Sequence, residues 1–246
     1  NKTVWDYINQ FTAFNNYQHK VLTKFRDDIF QMPINLATIN QFYKKSFSPQ
    51  EARQFIEAEI KKDFIENPKN FEEKAISLVG KPLYKAFIEG YSAKQWDTDP
   101  TTLPANIITR LPFRFSYENR YFTDPYEGIP VDGYGAIFKK MLANPLINIR
   151  LNTDFFAIRE EIPKDSLIIY TGPIDQYFNY SFGELGWRTT DFKTETLDLS
   201  DYQGTSVMNY AEKNIPYTRI HEFKHYHPER SQSKDKTIVM YEYSRK

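Results

Sequence analysis

Ser48-Pro49-Gln50-Glu51-Ala52-Arg53-Gln54-Phe55-Ile56-Glu57-Ala58-Glu59-Ile60 decides how the first half of the chain folds. Serine as cap, proline at the first helical position and glutamate at the third form a helix start, because Ser and Glu side chains can satisfy free backbone N–H groups. Ala52, Phe55, Ile56, Ile60 and Phe64 then recur at helical spacing, and Asn67-Pro68 stops the run. Asn70 with Glu73 resembles a second capping pair. Phe71, Ile76, Val79, Leu83, Phe87 and Ile88 extend an apolar stripe to Gly90, where the helix is expected to break. Shorter helical patterns lie near residues 34–43 and 134–142.

The second half reads as strands. Stretches 148–158, 166–170, 187–197, 205–210, 218–226 and 237–243 are enriched in β-branched and aromatic residues, and residues 113–121 are compatible with a further strand. The fold class expected is α+β: a helical subdomain followed by a largely antiparallel β-sheet. Three parts are expected: 1–33 bordering another domain, 34–112 helical, and 113–246 sheet-rich.

The chain has 246 residues, 40% hydrophobic and 26% charged, an ordinary globular composition. Its formal net charge of +0 removes the electrostatic argument for nucleic acid or an anionic membrane as partner. With Cys 0, disulfides, iron–sulfur clusters and thiolate zinc sites are excluded, which suits a reducing cytoplasm. No apolar run reaches the roughly 20 residues that span a bilayer. Asn1-Lys2-Thr3 lacks an initiator Met, so the chain is read as part of a longer protein. The aromatic share of 17%, with Tyr 18 and Phe 20, fits either an aromatic core or a cleft for a flat ring.

Three segments carry candidate chemistry. In Phe87-Ile88-Glu89-Gly90-Tyr91-Ser92-Ala93-Lys94-Gln95-Trp96, Tyr91 and Trp96 would lie about 140° apart on a continuous helix, so a break is expected if both rings face one ligand. Arg110-Leu111-Pro112-Phe113-Arg114 and Asn119-Arg120-Tyr121-Phe122 offer guanidinium forks suited to phosphate, or simple surface arginines. Asn209 and Arg219, on neighbouring strands, can face the same side. His221, His225 and His227 would share one strand face, but about 13 Å between the first two Cα atoms excludes a single metal site. A nucleophile elbow, a phosphate loop and a dinucleotide fingerprint are all missing from the sequence.

Several of these segments, in order, resemble the UDP-galactopyranose mutase family. They include Thr3-Val4-Trp5-Asp6-Tyr7, residues 36–42, Phe71-Glu72-Glu73-Lys74-Ala75, residues 81–87 and 90–96, and Arg110-Leu111-Pro112. They continue through Asn119-Arg120-Tyr121-Phe122, residues 170–175, Tyr202-Gln203-Gly204, residues 207–210 and 216–220, and Glu242-Tyr243-Ser244-Arg245. The resemblance implies a flavoprotein fold of which this is the central portion, with part of the FAD-domain surface near 159–182 and exposed apolar patches there. It implies interconversion of UDP-galactopyranose and UDP-galactofuranose through a reduced-flavin N5–sugar adduct, with FAD as cofactor and UDP-galactose as substrate. A homodimeric full-length protein is also implied. By the same resemblance Tyr91 and Trp96 take the uracil side, Phe87 and Ser92 the nucleotide, and Arg110 a mobile loop closing on the diphosphate. Tyr121 takes the phosphate side, Asn209 and Arg219 the diphosphate and sugar, His19 a substrate position, and Asp154 and Phe155 a flavin-side segment. No side-chain nucleophile is expected, since the cofactor carries the chemistry. The portion alone is expected to be inactive, lacking the Gly-rich flavin-binding segment. A flavin-free nucleotide-sugar or glycan-binding module and an interaction domain remain as alternatives.

Overall fold

The computed structural model describes residues 1–246, apart from the side chain of Arg110. A short helix α1 (Lys2–Ile8) precedes a hairpin of β1 (Val21–Phe25) and β2 (Asp28–Met32). The hairpin turns at Arg26, which takes φ 57°. The helical layer follows: α2 (Leu36–Tyr43), α3 (Pro49–Lys62), α4 (Phe71–Val79), α5 (Lys81–Leu83), a π-helical turn (Tyr84–Ile88) and α6 (Glu89–Trp96).

The caps are those the sequence calls for. At α3 the Ser48 N–H donates to Glu51 at 2.8 Å, and the Glu51 N–H donates to the Ser48 hydroxyl. At α4 the Glu73 N–H donates to Asn70 at 2.9 Å, but the Glu73 carboxylate accepts from the Lys69 N–H rather than from Asn70. The helix breaks at Gly80 (φ +79°), where a Cβ would sit 3.2 Å from that of Glu59, and not at Gly90. There the backbone runs on without interruption to Trp96. Gly90 serves a different purpose. A Cβ on it would lie 2.4 Å from the Ala211 carbonyl oxygen, so only glycine lets this helix touch the sheet.

The six-stranded sheet has the order β2-β1-β4-β5-β6-β3, with β3 (Thr189–Leu197), β4 (Val207–Tyr210), β5 (Arg219–Glu222) and β6 (Thr237–Arg245). Only β1 and β4 pair in parallel, so the sheet is largely antiparallel as expected. Two expectations fail. Stretches 148–158 and 166–170 form no strand: Leu167 and Ile169 are 88% and 81% exposed and no neighbour pairs with them among the described residues. A strand without a partner leaves its backbone groups unpaired, so residues here adopt turns and the short helix α8 (Phe155–Ile158), between the expected helix α7 (Tyr134–Met141) before them and α9 (Ile174–Tyr177) after them. The loop 113–121 is likewise irregular. It is tied down by Arg114, whose guanidinium donates to the carbonyls of Glu118, Arg120 and Tyr121.

The main core lies between the helical layer and β1–β2. Leu36, Ile39, Ile56, Leu83 and Tyr84 are fully buried in it, each contributing about 1.5–3 kcal/mol for a large apolar side chain. Edge-to-face contacts of Phe87 with Phe25 and Phe30, at 5.6 and 4.9 Å, join the π turn to the hairpin, and one with Phe42 at 5.4 Å joins it to α2. No described helix is long and apolar enough to cross a membrane.

Candidate functional site

Between the helical layer and the sheet lies a cleft of about 1010 Å³, at the upper end of the roughly 300–1,000 Å³ typical of small-molecule sites. Helix α6 forms one wall and presents Tyr91, Ser92 and Trp96. Both rings reach the cleft from one continuous helix. Trp96 is its last residue, followed by Asp97 in the left-handed region at φ 44°, so the cleft curls around the helix end and needs no break between them. Lys94 clamps this helix to the sheet by donating to the carbonyls of Tyr210 and Tyr217 at 2.6 and 2.9 Å. Burial lowers its amine to about 8.

The floor is the sheet. Asn209 on β4 and Arg219 on β5 are register partners and both line the cleft. The Asn209 Oδ1 and Arg219 Nε atoms are buried without a hydrogen-bond partner. Arg219 Nε lies 3.1 Å from Glu242 Oε1. Its N–H is not aimed at that oxygen, so the contact is one of charge. The Arg219 guanidinium lies 5.9 Å from the Tyr91 ring centroid. Burial pushes the Tyr91 phenol up to about 12, against the opposing pull of Arg219.

The far wall holds His19 and Tyr121. The Tyr121 N–H donates to the His19 carbonyl at 2.7 Å, and the two rings meet edge to face at 5.6 Å. His19 Nδ1 is 2.9 Å from the Tyr17 hydroxyl. Burial, then the charges of Arg219 and His221, hold its imidazole below the usual value and so favour the neutral ring.

The structure thus gathers His19, Phe87, Tyr91, Ser92, Trp96, Tyr121, Asn209 and Arg219 around one cavity. The expectation for Arg110 lies outside the described side chains. Asp154 and Phe155 are not in the cleft. Asp154 caps α8 by accepting from the Phe156 N–H at 2.7 Å, and Phe155 packs on Tyr170 in an exposed lobe. The arginines near Arg110 part company with Arg219, since Arg114 is spent on carbonyls and Arg120 pairs with Glu118 at 3.1 Å.

The histidines diverge as well. β5 ends at Glu222 and residues 223–226 form a 3-10 turn, so the three rings share no strand face. His221 faces Glu242, His225 faces Asp201 and His227 faces Glu229. Asp201, Glu222 and His225 bring ligand atoms within 4.8 Å of one another. The Glu222 oxygens, however, already accept from the Tyr202 and Gln203 N–H groups and the Thr237 hydroxyl, which gives this cluster a structural reading. Two cleft residues escaped the sequence reading, Glu242 and Arg188. Glu242 stood in the sequence only within Glu242-Tyr243-Ser244-Arg245, a segment that resembles the family but carried no assigned role. Arg188 gave no signal, and it donates to the Trp96 carbonyl at the end of α6.

Comparison with known proteins agrees with this geometry. The chain is 41% identical over 245 residues to a "Probable UDP-galactopyranose mutase" of Klebsiella pneumoniae, covering 100% of this chain and 62% of the relative. It is 38% identical over 232 residues to a dTDP-fucopyranose mutase of Escherichia coli, covering 93% and 61%. A crystal structure of reduced UDP-galactopyranose mutase shares the fold at TM-score 0.59 and 15% identity, over 99% of this chain and 61% of that one. The chain therefore spans about three-fifths of the length of these relatives. The chain belongs to the UDP-galactopyranose mutase family, whose model (GLF: UDP-galactopyranose mutase) matches residues 86–246.

Proposed function

We propose that these residues form the nucleotide-sugar cleft of an isomerase that interconverts UDP-galactopyranose and UDP-galactofuranose. The observation that carries the reading is the pair of buried, unpartnered polar atoms on Asn209 and Arg219, set in a cavity that also holds Tyr91 and Trp96. A buried polar atom without a partner costs about 1–3 kcal/mol, and a ligand supplying a hydroxyl and phosphate oxygens would repay it.

In this reading the uracil lies against Trp96 and Tyr91, the diphosphate meets Arg219 with Tyr121 on the phosphate side, and the sugar lies near Asn209 and Arg219, with His19 a further substrate position. Ser92 offers a hydroxyl to the nucleotide. Arg110 is proposed as a second cation on the opposite side of the diphosphate.

FAD is the proposed cofactor of the whole protein, and in reduced form it supplies the nucleophile for the anomeric carbon. Among the described residues there is no Gly-rich strand–turn–helix to cradle it, and its binding is assigned to the part of the relatives' length that this chain does not cover. Residues 1–246 alone are accordingly proposed to be inactive, and a flavin absorbance band at near one equivalent on that portion would contradict this.

The test is turnover by the full-length protein with reduced FAD. UDP-galactopyranose and dTDP-fucopyranose, the sugar named by the second relative, are supplied separately and products separated by chromatography. Conversion of the UDP sugar supports the reading. Conversion of the dTDP sugar alone would move it to the other substrate, and conversion of neither would refute it.

A further inference from the structure

Glu242 has no part in the reading so far, yet it stands in line with the residues that do. The register sets Asn209 opposite Arg219 across β4 and β5, and Arg219 opposite Glu242 across β5 and β6. All three side chains border the cleft. The Glu242 carboxylate is divided. Oε1 lies 3.1 Å from Arg219 Nε and 3.3 Å from the Thr218 hydroxyl, while Oε2 lies 3.1 Å from His221 Nε2. On its other side, His221 Nδ1 is 2.7 Å from the Tyr226 hydroxyl.

An ionised carboxylate only accepts, so His221 Nε2 carries a proton towards Glu242, while its Nδ1 meets the Tyr226 hydroxyl on the other side. Burial alone would raise the Glu242 carboxyl, but the hydrogen bond from His221 and the charge of Arg219 outweigh it and leave the group below its usual value. Glu242 is therefore an anion held from behind by a Tyr–His pair, with its second oxygen left for Arg219.

We propose that Glu242 is a positioning residue: braced by His221 and Tyr226, it sets the reach of the Arg219 guanidinium into the cleft before ligand arrives. The inference rests on the nucleotide reading of the cleft. Two effects of Glu242 on an anionic ligand have opposite signs. As a counter-charge it weakens attraction to phosphate, whereas as a brace it orders a long side chain that a ligand would otherwise have to immobilise.

Glu242→Gln separates the two. Glutamine keeps the shape but loses the charge and one acceptor oxygen, so its NH₂ group faces either the Arg219 guanidinium or His221, and the hold on Arg219 is weakened. The experiment is calorimetric titration of UDP into the full-length protein. The forms compared are wild type, Arg219→Ala, Glu242→Gln, the double variant, and Tyr226→Phe alone and combined with Arg219→Ala. The expected result is about tenfold weaker binding in Glu242→Gln, and a smaller loss in Tyr226→Phe, which removes only the hydroxyl behind the ring. Neither change weakens binding further once Arg219 is Ala. Unchanged or tighter binding in Glu242→Gln overturns the proposal, since counter-charge would then dominate. The same loss in the Arg219→Ala background also overturns it, because Glu242 would then act only on the fold. UDP binding that ignores Arg219→Ala altogether sinks the nucleotide reading itself and this inference with it.

Discussion

Gly90→Ala tests how the cleft is built. Within a helix, Ala in place of Gly gains about 1 kcal/mol from propensity. Against that, the new Cβ sits 2.4 Å from the Ala211 carbonyl oxygen and 3.0 Å from the Lys213 nitrogen. Both are backbone atoms in the segment just after β4, and Ala211 is itself held by a hydrogen bond to the Lys24 carbonyl at 3.2 Å. They cannot rotate away, so α6 must back off from the sheet. Overpacking of this kind costs about 1–3 kcal/mol, and a contact this short on backbone belongs at the upper end. The net expectation is a loss of about 1–2 kcal/mol, or about 2–8 °C in Tm at roughly 2–4 °C per kcal/mol for a chain of this size. Gly135→Ala on α7 is the control, because nothing lies within 4 Å of its added Cβ. It is expected to hold or raise Tm. Differential scanning calorimetry on both variants decides, and a Gly90→Ala protein melting at or above wild type would refute the close-approach argument.

Three other expectations follow from the same contacts. Trp96→Ala should weaken UDP binding by about 1–3 kcal/mol, the value of one base–aromatic stack, as read by calorimetry. Loss of Ser48 to Ala should cost about 1 kcal/mol through the broken capping box, visible as a lower urea midpoint. Lys94 is held at about 8 when folded against 10.5 for the free group. Between those values the unfolded chain keeps a proton that the folded chain has released, so wild-type stability should rise with pH across that window relative to Lys94→Met. A flat difference in urea midpoints from pH 8 to about 10 would contradict the burial of that amine.

How much of this was legible in sequence differs from element to element. The caps at Ser48 and Asn70 were readable because capping is local chemistry. The β1–β2 hairpin was not: its turn places Arg26 at positive φ without the Gly or Asn that normally marks such a turn. Residues 148–170 have strand-like composition, but a strand exists only with a partner, and composition does not report partners. Gly90 was read as a helix break. Its role comes instead from the Ala211 backbone more than a hundred residues away, which no local pattern reveals. For the site, Arg114, Arg120 and Arg219 look alike in sequence, and only the fold shows the first two spent on carbonyls and Glu118. Tyr91, Trp96, Asn209 and Arg219 stand out in the sequence as candidates, but their roles come from family resemblance. Helical spacing taken alone pointed the two rings apart. Glu242 escaped because its meaning lies in the register across β5 and β6.

The cleft itself is tested most directly by a crystal structure of the full-length protein with UDP. The expected result is a uracil ring packed on Trp96 and Tyr91, with diphosphate oxygens within hydrogen-bonding distance of Arg219. UDP bound away from these residues, or a cleft left empty at saturating UDP, would contradict the assignment.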